Sequence, residues 1–241
     1  MTQFASLRAP TLTPTFPTAR RGNPVRWLVA PILAHRRALL ALNILYFSTS
    51  VLAAVYAFRN PTVQAEFLRL AGEAFAPTGN LGPLVQAYLS GDLLGAVLLT
   101  FLVNLVLGSL VVLTLPSAIV PFAGILLGLY RAALWGLLFA PTEASGLGPT
   151  LWLHMPTILL EGEAHIVVML GVWLWWRPVF GRSSSRWTAW RRGALLQVRV
   201  YAVVATLLAL AAAYEAIEVI WLLPRVPPKR VGFARRRPYE R

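Results

Sequence analysis

The run LWLHMPTILLEGEAHIVVMLGVWLWW, residues 151–176, carries Glu161, Glu163 and His165 among side chains that favour an apolar medium. A second run, YEAIEVIW, carries Glu215 and Glu218. Between residues 93 and 142 the one charged side chain is Arg131, and Asn104 lies in the same stretch. Polar groups in such places pair with one another, hold a proton or an ion, or ligate a metal. On a helix, Glu161 and His165 are four apart and share a face, so they offer two metal ligands, with Glu215 or Glu218 as a third. His154 has nearly the same azimuth but lies about 10 Å from Glu161 along the axis, too far to share one ion. Glu163 points roughly 200° away from Glu161.

Whole-chain composition limits what those residues can be doing. The 241 residues are 57% hydrophobic with a mean hydropathy of +0.64, and the apolar residues come in long, nearly uncharged blocks. That is a membrane signature. The formal charge is +13, from 22 basic and 9 acidic residues. The arginines flank apolar blocks, as cytoplasmic loops do, which argues against nucleic acid as a partner. There are no cysteines, so disulfides and thiolate sites are excluded. No H-E-x-x-H, G-x-S-x-G or phosphate-cradling G-x-x-x-x-G-K-[ST] motif occurs. No cofactor and no resident metal are assigned, and a non-enzymatic protein is the first reading, with an intramembrane metalloenzyme using Glu161 and His165 as the third.

The fold class that follows is all-α, a polytopic transmembrane bundle of about five spans. Residues 1–37 hold six arginines and no acid and read as a disordered basic cytoplasmic arm. The bundle covers 38–224, with spans at 38–58, 93–115, 117–140, 151–176 and 200–223. Pro116-Ser117 is the natural break between the second and third. Between the first two spans, Asn60 as cap and Pro61 at the first position open an amphipathic helix. Val63, Phe67, Leu70 and Ala74 form its apolar face; Glu66, Arg69 and Glu73 form the other. A second short helix, LVQAYLSG, leads to Asp92, a cap for the next span. Gly124 and Gly128 have the small-xxx-small spacing that lets helices approach closely.

The loop 177–199 carries six arginines and reads as cytoplasmic; the tail 225–241 holds seven basic residues and one acid. Basic excess before the first span places the N-terminus in the cytoplasm of a multi-pass cell-membrane protein. Five spans then leave the basic tail outside, against the positive-inside rule, unless one block is re-entrant. Block 117–140 is the candidate for that.

Spans four and five, joined by one loop, run antiparallel. Glutamates early in one therefore meet glutamates late in the other, and Arg131 falls in the same half of the membrane if its block crosses fully. An ionised side chain at the bilayer centre costs roughly 2.5–3.5 kcal/mol. Asn104, Arg131, Glu161, Glu163, His165, Glu215 and Glu218 are therefore expected to form one inward-facing layer. One arginine cannot neutralise four carboxylates, so protons, a cation or a partner's basic group must supply the rest.

Spans two to five resemble the stage II sporulation protein M family of polytopic membrane proteins from bacteria and archaea. The resemblance is carried by FLVNLVLGSL, FAGILLGLY, PTILLEGEAHIVVMLG and AAAYEAIEVIWLLP and covers roughly 93–224. Asn104 matches the family's second-span asparagine, Glu161 its fourth-span glutamate, and Glu218 the glutamate before the closing Pro224. The chain departs at Thr157, where the family often has histidine, and at Leu223, where it usually has threonine. The resemblance implies a non-enzymatic scaffold or assembly subunit. Its partners would be other membrane proteins, a second copy of itself, and anionic lipids met by the basic arms. The residues alone also allow a small proton- or ion-coupled transporter or permease-like subunit using the same glutamates.

Overall fold

In lipid each backbone N–H and C=O must find its partner within the protein, and a helix does this locally. The computed structural model describes residues 23–143, 145–148, 150–181 and 185–225, and those residues form helices and no strand. In chain order these are α1 (Pro24–Ala34), α2 (Arg36–Arg59), α3 (Pro61–Phe75), α4 (Gly82–Leu89), α5 (Leu93–Ile119), α6 (Ala123–Phe139), α7 (Leu151–Trp176) and α8 (Arg186–Arg225). Helices α2, α5, α7 and α8 are long and apolar enough to cross a membrane. Most of the expected arm (1–22) and nearly all of the tail (226–241) lie outside the described residues.

Helix α7 is the axis of the bundle. It pairs most extensively with α8, antiparallel to it, and also packs on α2 and α6. The α8 residues that close this seam are Ala189, Gly193, Gln197, Val200, Val204, Leu208 and Ala212, a stripe at helical spacing. The stripe begins well before residue 200, so α8 has 40 residues and runs through most of the expected cytoplasmic loop. At 1.5 Å per residue that is about 60 Å, twice a hydrocarbon core. Its arginine-rich first turns therefore extend beyond the membrane. Likewise, residues 24–34 of the basic arm are the helix α1, which packs on α8.

The break between the second and third crossings falls at Val120–Phe122, not at Pro116-Ser117. Residues Val103–Thr114 are π-helical, and the helix returns to α geometry at Leu115, with Pro116 in the turn where it changes. Ser117 then locks the corner. Its hydroxyl donates to the Leu113 carbonyl (2.7 Å) and accepts from Gly124 N–H (2.6 Å). Phe122 makes the turn with φ 61°, uncommon for a residue with a side chain.

Helix α6 has 17 residues, about 25 Å. Its first turn meets Leu113 and Ser117, and its end lies by Gln64 and His154. It thus connects the two ends of the bundle, with no re-entrant hairpin. Asn23 and Arg225 lie at opposite ends. Gly124, Gly128, Ala132 and Gly136 form its buried stripe. A Cβ at Gly128 would lie 2.6 Å from Met169 Sδ, and one at Gly136 2.8 Å from Ala53 Cβ. The glycines set how near α7 and α2 approach.

One expectation for α3 differs. Asn60 does not cap it; its amide donates to the Tyr56 carbonyl (2.9 Å) and finishes α2 instead. The face turned to the bundle centres on Gln64, whose amide donates to the carbonyls of Leu137 (2.9 Å) and Ala140 (3.0 Å). Those carbonyls end α6 and need a donor. Val63 and Leu70 stay exposed, facing outward from the bundle. Asp92 does cap α5, accepting from Gly95 N–H (2.9 Å).

Candidate functional site: an intramembrane polar core

Helices α5, α6 and α7 meet through one continuous hydrogen-bonded bridge. Arg131 Nη2 of α6 donates to Asn104 Oδ1 of α5 at 2.9 Å. Asn104 Nδ2 donates in turn to Glu161 Oε1 of α7 at 2.6 Å. Asn104 and Glu161 are buried, and the amide spends one end on each charge. The local sequence makes room for this. Gly108, four residues after Asn104, faces the guanidinium; a Cβ there would lie 3.3 Å from Arg131 Nη2. The π-helical turns carry Asn104, and Ser109 Oγ donates to its carbonyl at 3.0 Å. Such turns recur at functional sites.

A second group stands nearer the α3–α4 end. Glu218, fully buried, opens a π-helical turn of α8. His154 Nδ1 lies 2.5 Å from its Oε1, without the alignment of a hydrogen bond. Thr157 Oγ1 donates to its Oε2 at 3.4 Å. One turn away, the Tyr214 hydroxyl donates to the Leu153 carbonyl (3.0 Å), beside Pro156. Glu215, partly buried, stands between the two groups and faces the Tyr88 hydroxyl of α4, which shares a 2.7 Å hydrogen bond with Thr100.

Arg131, Asn104 and Glu161 are thus joined directly, with Glu215 and Glu218 alongside. Two other residues from the sequence reading stand apart. Glu163 turns to the far side of α7, where Asn43 Nδ2 of α2 approaches its Oε2 at 3.4 Å. Its near-opposite azimuth to Glu161 made that separation legible. His165 is fully buried against Trp135 (rings 6.2 Å apart, edge-on), which also carries the Arg131 guanidinium at 5.5 Å. Neither His165 nitrogen makes an aligned hydrogen bond, though the Glu161 carbonyl lies one turn back. Tyr46 of α2, also buried, brings a hydroxyl without a partner toward Arg131 and Glu161.

Sequence reasoning missed His154, Thr157, Tyr88 and Tyr46 as neighbours of the acids. His154 is indeed placed away from Glu161, and it serves Glu218 instead. The signal was present: His154 and Thr157 are three apart on one face, and antiparallel α7 and α8 bring that face to the end of α8. Among the described residues no group of three or more histidine or acidic side chains is placed to hold a metal ion.

The molecule is a helical protein of the multi-pass membrane type, with a charged core shared by its crossing helices. No family model, curated protein or solved structure matches the chain.

Proposed function

We propose that the protein is a non-enzymatic membrane scaffold or assembly subunit, whose polar core fixes the relative placement of its helices so that a partner span can dock. The observation that carries this is the closed bridge Arg131–Asn104–Glu161, in which three helices share one amide. Polar groups joined in this way add little net stability, yet each costs about 1–3 kcal/mol when left buried without its partner, which penalises any arrangement that separates them. That suits a component whose shape is its output. The likeness to the stage II sporulation protein M family adds support, since Asn104, Glu161 and Glu218 are the residues it singles out. By the positive-inside rule the end bearing Arg36, Arg37, Arg177, Arg186, Arg191 and Arg192 is cytoplasmic, as is the N-terminus. Partners are other membrane proteins, a second copy of the chain, or both.

A second reading, a proton- or ion-coupled transporter, is favoured by the row Glu161, Glu215, Glu218 and His154 leading toward the α3–α4 end. One pair of experiments separates the two. Glu161→Gln should change the set of proteins that copurify from native membranes, while reconstituted wild-type protein carries no proton or cation flux. Unaltered copurification contradicts partner docking. Flux that disappears in Glu215→Gln establishes transport.

A further inference from the structure

The corner between α1 and α2 lies at the opposite end from the acids, and it forms an open cleft of about 340 Å³ lined by Ala34, His35, Arg36, Arg37, Ala38 and Trp173. That is the lower end of the range for small-molecule sites, about 300–1,000 Å³. We propose that this corner binds the phosphate of one anionic phospholipid, with the acyl chains lying along the outer face of α2. The inference does not depend on the scaffold reading.

Depth is the first support. Trp173, Trp175 and Trp176 end α7 here, with Arg177 stacked on Trp173 at 4.9 Å, an aromatic and basic girdle that marks a headgroup region. Charge is the second. Arg36 and Arg37 are exposed, and among the described residues the arginine paired with carboxylates is Arg69. No acid precedes Glu66 in the chain, so residues 1–22 cannot neutralise the corner.

The backbone completes the case. The first turn of α2 has no side-chain cap and no acid, so its N–H groups add to the positive field. Two of the carbonyls that end α1 are occupied: Ile32 accepts from His35 N–H (3.1 Å), and Pro31 pairs with His35 Nδ1 (2.9 Å). The second contact holds the imidazole edge-on to Trp173, rings 5.8 Å apart, as one wall. Beyond the corner, Leu40, Ile44, Val51 and Leu52 are exposed along α2 and offer an apolar track. Basic pockets of this kind between crossing helices suit phosphate headgroups.

The test uses the full chain in uncharged detergent micelles, titrated with phosphatidylglycerol, phosphatidylcholine or inorganic phosphate, with bound lipid counted by native mass spectrometry. One phosphatidylglycerol should be retained per chain, and phosphatidylcholine should not. Arg36→Gln/Arg37→Gln should weaken retention about tenfold or more, at roughly 1 kcal/mol per basic residue. Arg191→Gln/Arg192→Gln removes the same charge from exposed positions at the same end of the bundle and should leave retention within about twofold. Equal loss in both double variants would reduce the effect to surface charge and overturn the site. So would equal binding of phosphatidylcholine, or inorganic phosphate binding as tightly as the lipid.

Discussion

Helices α2 and α7 have almost the same length, 24 and 26 residues, yet opposite surroundings. Of their most apolar stretches, 6% of α2 and 72% of α7 is buried inside the protein. The less apolar of the two is the one enclosed. Water sorts helices by hydrophobicity, but lipid is as apolar as leucine and gives no such driving force. The enclosed helix is therefore the one with polar groups to satisfy and small residues to admit neighbours. α7 has Glu161 and His165 for the first and Gly162 and Gly171 for the second, all of them buried. α2 offers Leu40, Ile44 and Leu52 outward.

Substitutions can break or sharpen that contrast. The largest effect is expected from Asn104→Leu, which leaves buried Glu161 and half-buried Arg131 without their shared amide. A loss of about 2–6 kcal/mol in unfolding free energy is expected in mixed micelles, since two polar groups lose their partner at about 1–3 kcal/mol each. Next is Gly193→Ala, on the face of α8 that meets α7. The added Cβ would lie 2.7 Å from both the Trp175 Cα and its carbonyl oxygen, backbone atoms that cannot rotate away. About 1–3 kcal/mol should be lost, as for other overpacked sites. Leu52→Ala on α2 is the counterpart. Its side chain faces outward, and the change should stay within about 0.5 kcal/mol by the same measurement.

The smallest expected effect lies outside the membrane, on α3. Arg69 is hydrogen-bonded to Glu66 and paired with Glu73, and it holds the Glu66 carboxyl below its usual range. A depressed folded-state pKa stabilises above the unfolded value and is lost as pH falls through the folded one. Wild type and Glu66→Gln should therefore differ slightly in melting temperature at neutral pH, and the difference should vanish in acid below the ordinary glutamate range.

The same contrast explains what was legible from sequence. Apolar blocks announced the crossings, and the glutamates were recognisable because they interrupt those blocks. Depth placed Asn104 and Arg131 in one layer with the glutamates, but the bridge through the amide was not legible, because the rotation of each helix decides which neighbour its side chain meets. Helix α8 was read too short because Arg186, Arg191, Arg192 and Arg199 hide the stripe Ala189–Gly193–Gln197 that continues its seam. Pro116 was read as a break because a change from α to π turns leaves no trace in hydropathy. His154 was set aside because distance along one helix says nothing of what the antiparallel neighbour brings to it.

The central claim, that Asn104 joins Arg131 and Glu161 into one unit holding three helices, is tested most directly by a double-mutant cycle. Unfolding free energies of wild type, Asn104→Leu, Glu161→Leu and the double variant should give an interaction energy of about 1 kcal/mol or more. Simple additivity of the two single losses would contradict it.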